Sequence, residues 1–180
     1  QGRHGTQGRA DAGQQHPDGQ GVHGGVSAAA EKSDDQQCDE KTGQPPFPES
    51  YWVIPDQFLA GEHPLRSLFP TNHHLQSLLD AGISVFIDLS DGLDYSRDLA
   101  NLDGSALEET PEYLPFPITD YSVPEPAYMA TILDAIDHAI QSGKKVYLHC
   151  FAGHGRTGTV VGCYLARHGT TGHAALDQIL

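Results

Sequence analysis

Long apolar runs are missing from this 180-residue chain, and no stretch would span a bilayer as a helix. No secretory leader is visible at the start either. Large apolar residues are absent where they would matter most for folding: positions 1–46 hold no Phe, Trp, Tyr, Leu or Ile, and Gly and Gln alternate there with charged and small residues. Such a segment buries too little apolar surface to offset the entropy of ordering, so residues 1–46 are expected to be a disordered tail or linker. Residues 47–180 then form one domain. Methionine occurs once, at Met129, so Gln1 is not read as a translation start. A helical pattern from Thr171 runs to Leu180, and the chain is expected to be a piece whose last helix is truncated.

Basic residues are scarce. Within 47–180 there are six Lys and Arg against seventeen Asp and Glu, a net charge of −11. That surface repels nucleic acid, anionic membrane and densely phosphorylated inositides outside any local pocket, so neither nucleic acid nor membrane is expected as a partner. Cys38, Cys150 and Cys163 have no paired spacing, which excludes a disulfide scaffold. The eleven histidines, His63 and His73-His74 among them, match no strong zinc pattern, and no metal or cofactor is expected.

What the chain does have is His149-Cys150-Phe151-Ala152-Gly153-His154-Gly155-Arg156-Thr157. Lys145 to His149 reads as a buried strand, and Thr157 to His168 carries Val160, Val161, Tyr164 and Leu165 at helical spacing. The segment between them joins a strand's carboxyl end to a helix's amino end, where unpaired amides and the positive end of the helix dipole favour an anion. Gly153 and Gly155 give the backbone freedom to curl into an amide nest. Phe151 to Arg156 are thus candidates to hold a phosphate-sized oxyanion. The same field should lower the pKa of the Cys150 thiol and make it a nucleophile. Arg156 presents a planar fork suited to two phosphoryl oxygens, as a lysine could not.

These residues resemble the signature His-Cys-x5-Arg-Ser/Thr of the cysteine-dependent protein phosphatases, and the chain is most similar to small bacterial dual-specificity phosphatases. The stretches 51–62, 82–89 and 117–124 add to the likeness, which covers residues 47–180. It implies a metal-free, two-step hydrolysis through a cysteinyl-phosphate at Cys150, acting on phosphotyrosine and on phosphoserine or phosphothreonine of a protein substrate. Asp120, thirty positions before Cys150 in a loop with Pro124, would be the general acid and then the base, with Asp88 and Asp91 as rivals. Thr157 would hydrogen-bond the sulfur, and His149 would brace the loop. His154 would lie at the loop tip. A domain of this length implies a shallow cleft, open to more than one phosphoester. A catalytic thiolate needs a reducing compartment, which favours the cytoplasm.

Competing readings remain at this stage. Cys150 could be an inert buried thiol, Asp120 a turn former, and Cys163 a core side chain. Other functions would be hydrolysis of an inositol phosphate, a phosphoinositide or an RNA 5′ end, phosphate recognition without turnover, or a rhodanese-like sulfur transfer. Oligomeric state is left open. Strands are expected near 51–54, 57–60, 83–89, 113–118 and 145–149, and helices near 72–81, 126–142, 157–168 and 171–180. Helices alternating with apolar strands argue for an α/β three-layer sandwich around a largely parallel sheet, with a ligand at its carboxyl edge.

Overall fold

Side-chain alternation along the strands decides how this molecule is layered. In β5 (Lys145–His149), Val146 and Leu148 enter one hydrophobic core and Tyr147 the other. The same division holds in β3 (Ile83–Asp88), where Val85 and Ile87 face one way and Phe86 the other, and in β2 (Phe58–Gly61), where Phe58 and Ala60 oppose Leu59. A strand that buries both faces needs helices on both sides. The computed structural model describes residues 43–66 and 73–179, apart from positions 93, 103, 105, 106 and 108. The tail expected over 1–46 therefore lies outside the described residues, save its last four positions.

The five-stranded sheet has the order β1-β2-β5-β3-β4, with β1 (Ser50–Ile54) antiparallel to β2 and every other pair parallel. Against one face pack α1 (His73–Asp80) and α2 (Ser96–Asn101), through Leu75, Leu78, Leu79 and Leu99. The other face carries α3 (Pro126–Gln141), α4 (Gly155–Arg167) and α5 (Gly172–Ile179). The three-layer α/β sandwich with a largely parallel sheet is therefore the observed fold.

Local chemistry accounts for the element ends. α3 begins with Pro126, whose missing N–H is no loss in a first turn, and stops before Gly143 at φ +77°. Its Met129, Ile132, Leu133 and Ile136 form the buried stripe. β4 (Glu112–Pro115) ends three residues short of expectation because Pro115 and Pro117 lack amide donors. Even so, the chain stays beside β3, with Phe116 N donating to Asp88 O at 2.8 Å and Ile118 N to Leu89 O at 3.0 Å. α2 was not expected. Its six residues bury only Leu99, too few for a helical period to show. α4 starts two residues early, at Gly155, so Arg156 and Thr157 belong to its first turn.

At the sheet's centre Asp88 and His149, the last residues of β3 and β5, stand side by side. The crossing from β5 into α4 rises directly above them.

Candidate active site

The loop from His149 to Thr157 is held from below by buried polar groups. His149 is fully buried; its Nδ1 lies 3.2 Å from Cys150 O and its Nε2 2.6 Å from Tyr95 Oη. A carbonyl only accepts, so Nδ1 carries the proton and Nε2 accepts from the Tyr95 hydroxyl. Burial, only partly offset by Asp88, pushes the imidazole down to about 4, so it is neutral at pH 7. Asp88 accepts from Ser90 N and Oγ on Oδ1, at 2.7 and 2.6 Å, and from Tyr113 Oη on Oδ2 at 2.8 Å. Burial and this carboxylate together raise the Tyr113 phenol. Being buried and fully engaged, Asp88 is a scaffold group, unlike the other two candidate acids.

Gly153 fixes the loop against β2. Its φ is +78°, and a Cβ there would stand 2.7 Å from Gly61 C and Glu62 N. Only glycine fits. Gly155 differs: a Cβ would meet nothing, and its φ is not positive, so the freedom expected of it is not used. The segment after β2 is tied in as well, His63 N donating to Phe151 O at 3.1 Å.

Above this base, Cys150 is almost fully buried yet lines a cleft of about 430 Å³ with Asp120 to Val123, Phe151, Ala152, Gly155, Arg156 and Thr159. Burial, with Cys150 close by, pushes the Tyr51 phenol up to about 12, so Tyr51 stays protonated at pH 7. Arg156 is turned inward, with its Nη1 donating to Ile118 O at 3.0 Å. Two carboxylates meet its guanidinium, Asp91 Oδ1 at Nη1 and Asp120 Oδ1 at Nη2, each at 3.3 Å. Both carboxylates are more than half exposed. A second cleft, of about 310 Å³, continues past Arg156 between Phe151, His63, Asp91 and Gly92.

The structure thus gathers Cys150, Arg156 and Asp120 at one cleft, with Asp91 beside them. Thr157 Oγ1 is fully buried and makes no hydrogen bond to a described residue, the sulfur included. His154 is exposed at the position before α4. Cys163 packs half-buried against the larger core. Sequence reasoning missed Tyr95, Tyr113 and the part His63 plays; no local pattern marks them. His63, Asp88 and His149 bring one potential ligand atom each to within 4.8 Å of one another. The hydrogen bonds of Asp88 and His149 already occupy those atoms, so the trio fits a scaffold better than a metal centre.

Residues 48–179 match the family described as PTP-SAK, Swiss Army Knife protein, DSP-PTPase phosphatase domain. The chain belongs to this family, within the cysteine-dependent dual-specificity phosphatase superfamily. Among its relatives is protein 067L of Invertebrate iridescent virus 3, named as a tyrosine phosphatase, 29% identical over 113 residues that cover 61% of this chain and 45% of that one. Protein tyrosine phosphatase domain-containing protein 1 of Mus musculus is 32% identical over 130 residues, covering 64% of this chain and 16% of that protein. The chain spans less than half the length of these curated relatives. The crystal structure of Tk-PTP in the active form superposes with a TM-score of 0.58 at 24% identity, over 74% of this chain and 83% of that one, which shows the shared fold. Among the described residues no helix is long and apolar enough to cross a membrane.

Proposed function

We propose that residues 47–180 are a catalytic domain that hydrolyses phosphotyrosine, and phosphoserine or phosphothreonine, in proteins through a cysteinyl-phosphate on Cys150. The observation that carries this reading is one cleft lined by Cys150, Arg156 and Asp120 at the junction of β5 and α4.

In the first step the Cys150 thiolate attacks phosphorus, the S–P bond forms as the P–O ester bond breaks, and protonated Asp120 gives its proton to the departing alkoxide or phenoxide. In the second, Asp120, now a carboxylate, takes a proton from water as the water oxygen attacks phosphorus. The S–P bond breaks, inorganic phosphate leaves and the thiolate returns. Arg156 and the leading amides of α4 hold the equatorial oxygens in both steps. With substrate bound, phosphoryl oxygens would take over guanidinium donors that Asp91 and Asp120 now share. Turning its hydroxyl toward the sulfur, Thr157 would stabilise the leaving thiolate in the second step. His149, neutral and braced between Tyr95 and the Cys150 carbonyl, fixes the loop. No step requires a metal or cofactor, and the chemistry suits a reducing compartment such as the cytoplasm.

The acidic surface supports a protein substrate over a polyanionic lipid or RNA end. Release of phosphate from phosphotyrosine and phosphoserine peptides tests the reading, with Cys150→Ser as control. Hydrolysis that vanadate inhibits, that chelators leave alone and that the control lacks is expected. Undiminished hydrolysis by Cys150→Ser would overturn it.

A further inference from the structure

Four large apolar side chains are left well exposed among the described residues: Tyr121, Val123, Phe151 and Leu176. Three of them, all but Leu176, line the cleft whose floor is Cys150 and Arg156. Apolar surface concentrated at one place on an otherwise acidic domain marks a contact surface. The wall formed by Phe151 is also the better fixed. Its carbonyl accepts from His63 N at 3.1 Å, and the Arg66 guanidinium carbon lies 5.5 Å from the ring centroid. Arg66 is itself held by Glu62, Nη1 to Oε2 at 2.7 Å, and that carboxylate is nearly buried. Phe151 borders both clefts that meet at Arg156, so its ring stands between them.

We propose that Phe151, propped by the Arg66–Glu62 pair, is the specificity-determining side chain that ranks aryl above alkyl phosphoesters at this cleft. This rests on the hydrolysis proposed at Cys150. With phosphorus held over the sulfur by Arg156, an aryl ester carries a flat ring from its bridging oxygen into the space beside Phe151, with Tyr121 and Val123 on the neighbouring loop. A serine ester offers a single methylene before its own backbone and leaves that wall uncovered. The wall costs little to use because the Arg66 cation at its ring and the hydrogen bond at its backbone carbonyl hold the residue in advance.

The test compares the ratio of kcat/KM for phosphotyrosine and phosphoserine peptides of identical flanking sequence in the wild type, Phe151→Ala, Phe151→Leu and Arg66→Gln. Inhibition constants of phenylphosphonate and methylphosphonate are measured beside it, giving the same ratio even where one ester turns over slowly. Phe151→Ala is expected to lower both ratios about five- to tenfold, the worth of one aromatic contact. Phe151→Leu, which keeps apolar bulk, should fall between it and the wild type. Arg66→Gln should lower both by about two- to threefold. Ratios within twofold of wild type in Phe151→Ala would overturn the assignment while leaving hydrolysis at Cys150 intact. A wild-type protein that turns over neither ester and binds neither phosphonate would remove the proposed function, and this inference with it.

Discussion

Two loops meet at the cleft, and they are built in opposite ways. The β5–α4 junction is anchored in the protein: His149 at the end of β5 and Thr157 in the first turn of α4 are fully buried, Cys150 and Arg156 nearly so, and Gly153 packs against the backbone of β2, while Phe151, His154 and Gly155 are exposed. The β4–α3 loop stands in solvent, with Asp120 60% exposed by its side chain and Tyr121, at φ +57°, wholly exposed. Oxyanion binding needs donors that do not reorganise as charge moves, and burial among bonded neighbours supplies them. A group that must give and then take a proton needs access to both ester and water. An exposed carboxylate has that access, and Asp120 is oriented by Tyr121 N at 3.1 Å and Arg156 Nη2 at 3.3 Å, both on Oδ1.

If this division is right, perturbing the exposed loop should change chemistry and leave folding alone, while perturbing the buried loop should do the reverse or both. Asp120→Asn is expected to lower kcat/KM about 100-fold or more on phosphotyrosine, whose leaving group needs a proton, and far less on an aryl ester with an activated leaving group. Its melting temperature should match wild type. Equal losses on both esters would hand the acid role to Asp91, which faces the same guanidinium.

The buried side carries a pH signature. His149 is held down to about 4 in the folded chain against an ordinary 6.5, so between those values the unfolded state binds more protons and stability falls as pH falls. The loss amounts to about 3 kcal/mol across that window. Denaturant melts of wild type and His149→Gln from pH 7 to pH 4 should show a shallower pH slope in the variant; identical slopes would mean that the imidazole is not held neutral by burial.

The smallest effect separates the two glycines. Gly153→Ala forces a Cβ against backbone at 2.7 Å and a positive φ on a residue that disfavours it, at a cost of about 1–3 kcal/mol. Gly155→Ala meets nothing and opens a helix, so its stability should stay within about 0.5 kcal/mol of wild type or rise. Thermal melts of the pair check this directly.

How much of this was legible beforehand follows from distance along the chain. The signature loop and its flanking strand and helix were, because their residues are consecutive and each carries a local chemical signal. β3 and α3 were too, from continuous apolar runs or one helical stripe. The polar base was not: Tyr95 meets His149 across 54 positions and Tyr113 meets Asp88 across 25. The second exists because β4 pairs with β3 in the sheet, and the first because the chain leading from β3 into α2 brings Tyr95 against the end of β5. Asp88 stood as a rival to Asp120 for the same reason, since only the fold reveals that its oxygens already accept hydrogen bonds. Gly61, quoted only as part of a family-like stretch, proves to be the surface on which Gly153 rests.

In the proposed mechanism sulfur, and no other atom, receives the phosphoryl group. Rapid acid quenching of the wild-type protein during turnover of a phosphotyrosine peptide, followed by mass spectrometry of the fragment spanning His149 to Arg156, tests it most directly. One added phosphoryl group on Cys150, accumulating further in Asp120→Asn supplied with an activated aryl ester, is the predicted result. Steady turnover with that cysteine unmodified at every quench time would contradict it.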